Sequence, residues 1–87
     1  MPFVYIVRCG DGTFYTGWCT DVYRRVAQHN RGQGARYTRT HGPVTLVYQE
    51  ELPDVRSAMR REAAIKAFPR QRKERLIAEA AKDGRSE

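Results

Sequence analysis

FVYIVRC GDG TFYTGW, running from Phe3 to Trp18, is the stretch on which the fold turns. Two runs rich in aromatic and β-branched residues, Phe3 to Cys9 and Thr13 to Trp18, flank Gly10-Asp11-Gly12, which is the pattern of a β-hairpin. A three-residue loop takes a left-handed residue at its third position, and Gly12 adopts that backbone without a Cβ penalty. Loop length then sets the register. Pairing Cys9 with Thr13 puts Val7 opposite Tyr15 and Tyr5 opposite Gly17. Because strand side chains alternate, Tyr5, Val7, Tyr15 and Gly17 share one face, with the two phenols diagonal neighbours. A slip of one residue would send the tyrosines to opposite faces.

Outward from the hairpin, Thr20 or Asp21 can cap a helix running to about Asn30, with Val22 and Val26 toward the core. Asp21, Arg25 and His29 form a second stripe, one turn apart. Arg31 to Pro43 (RGQGARYTRTHGP) is expected as a basic loop. There Tyr37 could stack a base while Arg36 and Arg39 meet phosphate, or the segment is simply solvated. Val44 to Tyr48 is a third strand, and Asp54 caps a helix extending to about Phe68. Pro69 ends that helix, and a basic helix from about Arg70 to Ala81 docks through Leu76, Ile77 and Ala80. The expected class is α+β: a small three-stranded antiparallel sheet flanked by helices, in the order β-hairpin, helix, strand, two helices. Residues 1–82 form a single domain and 83–87 a polar tail, expected to fray.

The 87 residues suffice for one modest core. Sixteen Lys and Arg against ten Asp and Glu give a net charge of +6, which with 10% aromatics favours nucleic acid over a membrane as partner. The longest apolar run, Phe3 to Val7, is far short of a membrane span, and no charged leader precedes it, so a cytoplasmic location is expected. Cys9 and Cys19 have no zinc-ligand spacing with His29 and His41 and read as free thiols, a disulfide being the alternative.

Chemistry rests on few groups. On the helix after Asp54, the residues Val55, Ala58, Met59 and Ala63 make an apolar stripe with Glu62 near its centre. A carboxylate there needs a compensating metal or cation. Lys66, one turn on, offers an ordinary ion pair, and both readings stand. Arg25 and His29 can bind a phosphate and shuttle a proton, or can line a solvated helix face. Tyr5 and Tyr15, by type alone, are sheet aromatics.

As an ordered set these residues resemble the GIY-YIG nuclease superfamily, over roughly Phe3 to Ile77. Phe3-Val4-Tyr5 matches the GIY element at its tyrosine, and Tyr15-Thr16-Gly17 matches the YIG element. Arg25 and His29 fall where the family places its helix arginine and a second polar or aromatic catalytic residue. Glu62 falls where it places a metal-binding glutamate. The layout is similar to the small single-domain bacterial branch, which resembles the nuclease domain of the excision-repair incision subunit. Phe3 and Thr16 replace the glycine of GIY and the isoleucine of YIG. No asparagine follows Asn30, where many members carry one downstream of the glutamate, so Lys66, Gln71 or another polar group would have to substitute.

The resemblance implies hydrolysis of nucleic-acid phosphodiesters, DNA favoured over RNA, in repair or recombination, assisted by one Mg²⁺ or Mn²⁺ on Glu62. Arg25 would stabilise the phosphate, Tyr15 would help deprotonate water, and Tyr5 and His29 would orient or relay protons. Arg36, Tyr37, Arg39 and Lys66 would contact nucleic acid, while Gly12 and Gly17 serve the turn and strand. A free tyrosine titrates near 10, so a phenolate base at neutrality requires about 4 kcal/mol from its surroundings. The rival reading is a binding module that keeps the fold without cleavage. Larger relatives draw specificity from extra domains, so here it would be low or delegated to a partner protein.

Overall fold

The computed structural model describes residues 1–84. Its sheet has three antiparallel strands, β1 (Phe3–Cys9), β2 (Phe14–Cys19) and β3 (Val44–Glu51), in the order β2-β1-β3. Four helices flank it: α1 (Val22–Asn30), α2 (Arg36–His41), α3 (Val55–Lys66) and α4 (Arg70–Gly84). The expected α+β class and hairpin register hold, with Val7 opposite Tyr15 and Tyr5 opposite Gly17. Gly12 takes φ +86°, and the Cys9 amide donates to the Thr13 carbonyl at 2.7 Å.

The pleat of β1 divides the interior into two cores. Tyr5, Val7 and Cys9 pack with Cys19, Val22 and Val44, supported by Val26 and Leu46. Val4 and Ile6 point the other way, against Tyr48, Ala58 and Ile65, with Leu76, Ile77 and Ala80 of α4 closing that side. β3 serves both cores because its pairing with β1 shifts between Ile6 and Val7. An extra residue there reverses the alternation, so Leu46 faces one core and Tyr48 the other.

Asp21 and Asp54 cap α1 and α3, accepting from the amides of Arg24 at 3.1 Å and Ser57 at 2.7 Å. Three sequence expectations change. The basic loop contains a helix, α2, whose Thr-rich sequence and uncapped Ala35 start carry no local helix signal; its support is tertiary. On α3 the buried residues are Ala58 and Ile65, whereas Val55 and Met59 are 44% and 53% exposed. The inward face is therefore rotated from the expected stripe, with Arg61 and Glu62 half-buried beside Ala58 and Ile65. α4 continues beyond Ala81 to Gly84, into the expected tail; positions 85–87 of that tail lie outside the described residues. Cys9 and Cys19 are both free thiols.

Candidate active site

β1, β2 and α1 bring Tyr5, Tyr15 and His29 together on the face covered by α1 and α2. The Tyr5 hydroxyl lies 2.8 Å from His29 Nε2, and the His29 ring meets Tyr15 edge-on at a centroid distance of 5.3 Å. His29 is 2% exposed, so the stripe through Asp21, Arg25 and His29 turns inward at its end. Gly17 is what allows Tyr5 to lie across β2. A Cβ there would stand 2.6 Å from the Tyr5 hydroxyl oxygen.

The network sets the imidazole tautomer. Thr38 donates its only hydroxyl proton to the Ala35 carbonyl at 2.9 Å, so its oxygen accepts in the 2.6 Å contact with His29 Nδ1. Nδ1 therefore carries the proton and Nε2 the lone pair that receives the Tyr5 hydroxyl. The Ala35 amide, 3.4 Å from Nδ1, would need the opposite tautomer, and the shorter contact prevails. The result is a directional chain from the Tyr5 hydroxyl through His29 and Thr38 to the Ala35 carbonyl.

Burial, with the nearby Tyr15 phenol adding to it, pushes the Tyr5 phenol far above its ordinary 10.0, against the opposing pull of Arg25. Burial first and Arg25 second lower His29 below its ordinary 6.5. Tyr5 is thus a neutral donor and His29 a neutral acceptor at physiological pH. Arg25 gives its Nε–H to Gln28 Oε1 at 3.1 Å, which leaves its two terminal amino groups for other acceptors.

Tyr37, on α2, stacks on His41 at 3.9 Å and 6° and lies near-parallel to Tyr15 at 6.2 Å and 22°. Its ring lies between these two neighbours and is still 37% exposed. Arg36 and Arg39 are exposed on the same helix, and Arg39 with Arg31 rims a cleft of about 390 Å³ that reaches His29 and Thr38.

Glu62 stands apart from this network. Its helix packs against the opposite sheet face, and its ion-pair partner is Lys66 at 3.5 Å. The Lys66 reading of that stripe position is therefore realised. No group of three or more His, Cys, Asp and Glu converges among the described residues.

Sequence reasoning missed Thr38 and Gly34. A Cβ on Gly34 would overlap His29 Nδ1, so this glycine makes room for the buried imidazole. It also missed Asn30, whose side chain clamps both backbone groups of Val44 at 2.7 and 3.1 Å. The glycines of the segment were the available signal for Gly34, while nothing local marks Thr38.

A hairpin whose two tyrosines face a helix-borne arginine and histidine, with a third strand and two further helices, defines the class. The family profile described as the GIY-YIG catalytic domain matches residues 1–75. The chain therefore belongs to the GIY-YIG family, a family of nucleic-acid-associated domains. It is 56% identical over 77 residues to a UPF0213 protein of Staphylococcus aureus, covering 88% of this chain and 94% of that one. Two solution NMR structures resemble it, each with a TM-score of 0.58. The UPF0213 protein BH0048 of Bacillus halodurans is 46% identical, over 90% of this chain and 84% of that one. The protein EF2693 of E. faecalis is 37% identical, over 87% and 81%.

Proposed function

We propose that this chain is a divalent-metal-dependent endonuclease of the bacterial cytoplasm, hydrolysing nucleic-acid phosphodiesters with DNA preferred to RNA. The observation that carries the reading is the oriented Tyr5-His29-Thr38 chain beneath a half-buried Tyr15. A sheet that needed only packing would be served by apolar residues. Burying an imidazole and two hydroxyls instead requires every polar atom to find a partner, and Gly17 and Gly34 are spent on fitting them.

In this reading Tyr15 takes the proton of the attacking water, while Tyr5 and His29 hold the surrounding hydrogen bonds in one direction. Arg25 applies its two remaining amino groups to the phosphate oxygens. Glu62 is the residue to hold Mg²⁺ or Mn²⁺. One carboxylate fits such an ion, which retains waters and takes further oxygens from substrate phosphates. Its partner Lys66 is a 53%-exposed ammonium that a divalent cation can displace. When bound, the ion supplies Lewis-acid polarisation and stabilises the leaving oxygen. Lys66 or Gln71 would take the place of the family's downstream asparagine.

Incubating the purified protein with plasmid, branched DNA and RNA, with and without Mg²⁺ or Mn²⁺, tests this. Metal-dependent cleavage that Glu62→Ala abolishes while binding persists is the expected result, with a rate that rises toward alkaline pH at saturating substrate. Binding without cleavage at every metal concentration would sink the nuclease reading in favour of the binding module. A flat rate between about pH 6 and 9 would remove Tyr15 as the base.

A further inference from the structure

The aromatic contacts do not stop at the relay. His29, Tyr15, Tyr37 and His41 follow one another ring to ring, from a buried imidazole to one whose side chain is 35% exposed. The outer pair is held rigidly. Tyr37 donates its hydroxyl to Thr13 Oγ1 at 2.8 Å, and Thr13 passes its own proton to Asp11 Oδ1 at 2.6 Å.

His41 is fixed from both ends. Thr40 donates to the Tyr37 carbonyl at 3.1 Å, so its oxygen accepts from His41 Nδ1 at 2.9 Å, and Nδ1–H also reaches that carbonyl at 2.7 Å. The other nitrogen, Nε2, faces Asp11 Oδ2 at 3.9 Å. The His41 carbonyl accepts from the Gly10 amide at 2.9 Å, which ties the ring's backbone to the hairpin loop. The imidazole plane is thus set before any ligand arrives. Among the described residues no second ring and no guanidinium stacks on it besides Tyr37.

We infer that His41 is the terminal plate of this stack and receives an unpaired base of a nucleic-acid strand whose phosphates run toward Tyr15. A rigid aromatic face costs little entropy to use, and every base has a π-face to offer it. Arg36 and Arg39, exposed on α2 and without a carboxylate within 4.0 Å among the described residues, supply cations for the flanking phosphates. The Asp11 carboxylate beside His41 repels phosphate, which steers the base rather than the backbone onto the ring. In an intact duplex both faces of each base are already stacked. The substrate class is therefore one with unpaired nucleotides near the cut, such as a single strand, flap or branch. The inference rests on reading the tyrosine face as a nucleic-acid site, and it does not need that site to cleave.

The test uses the full chain in EDTA, so that binding is read without cleavage. Anisotropy compares a labelled thymidine 12-mer, an abasic 12-mer of equal charge and a 12-bp duplex. The wild type should prefer the thymidine strand, and His41→Ala should weaken that strand alone by roughly 5- to 100-fold. His41→Trp should restore it, which separates stacking from any loss of fold. The inference is overturned if His41→Ala binds the thymidine strand like the wild type or weakens the abasic strand equally. Failure of His41→Trp to rescue, or thymidine monophosphate competing as well as the strand, would also overturn it. Loss of cleavage with these preferences intact would refute only the nuclease reading.

Discussion

The α1–α2 side of the sheet and the α3–α4 side share three strands and differ in how their polar groups are used. On the first side Tyr5, His29 and Thr38 are buried and bonded in one direction. On the second, Arg61 donates to Glu50 at 3.0 Å in a part-buried cluster with the Tyr48 hydroxyl, and the remaining cations lie mostly at the surface. Residues 55–82 hold nine Lys and Arg against three Glu, whereas residues 1–54 hold six against five. The positive charge is therefore concentrated on α3 and α4. Two guanidiniums, of Arg72 and Arg61, lie 3.9 and 6.0 Å from the Phe68 ring, and Arg70 covers Phe14 at 4.4 Å. One side holds the directed hydrogen-bond chain, and the other, which also carries Glu62, produces the long-range field that draws a polyanion.

The largest expected effect lies in the second core. Ile65→Ala should destabilise by about 3 kcal/mol, because Ile65 is fully buried there, while Met59→Ala should stay within about 0.5 kcal/mol. Urea unfolding checks both. Equal losses would restore the stripe expected from sequence and blur the contrast between the faces.

An acid-dependent loss should follow from the first side. His29 is held below its ordinary 6.5 in the fold, so the unfolded chain takes up more protons as pH falls through that value. Its contribution is complete above about 6.5 and declines below. The urea midpoint should fall between pH 7 and pH 5, and His29→Gln should flatten that slope. An unchanged slope in the variant would show that His29 is not the group being protonated.

A small effect on stability belongs to the charged surface. Arg72→Ala with Arg75→Ala should change unfolding by only about 0.5 to 1 kcal/mol, since neither has an ion-pair partner among the described residues and Arg72 loses only its exposed contact over Phe68. It should nonetheless flatten the salt dependence of duplex binding by about 1.8 in log–log slope if both arginines meet phosphate. An unaltered slope would move the electrostatic contact elsewhere and weaken the division of labour between faces.

How much was legible depends on the range of the interaction. The hairpin register followed from loop length and the period-two pleat, both local, and Tyr5 and Tyr15 came out on one face. Asp21 and Asp54 were readable as caps for the same reason. The face of α3 was not, because Val55 and Met59, one turn apart, satisfy helical periodicity while standing 44% and 53% exposed. The helix α2 escaped as well, its six residues being held by contacts to α1 and the hairpin rather than by propensity.

By itself, then, the sequence determined an α+β chain with a defined hairpin, paired tyrosines and an arginine and histidine one turn apart, since turns, pleats and helical repeats act between near neighbours. Only the tertiary structure decided that His29 is buried, neutral and proton-directed, that Gly34 and Thr38 belong to its setting, and that Tyr37 leans on His41. Those facts depend on groups brought together from separate elements, where burial sets the protonation state and packing decides which ring face stays open.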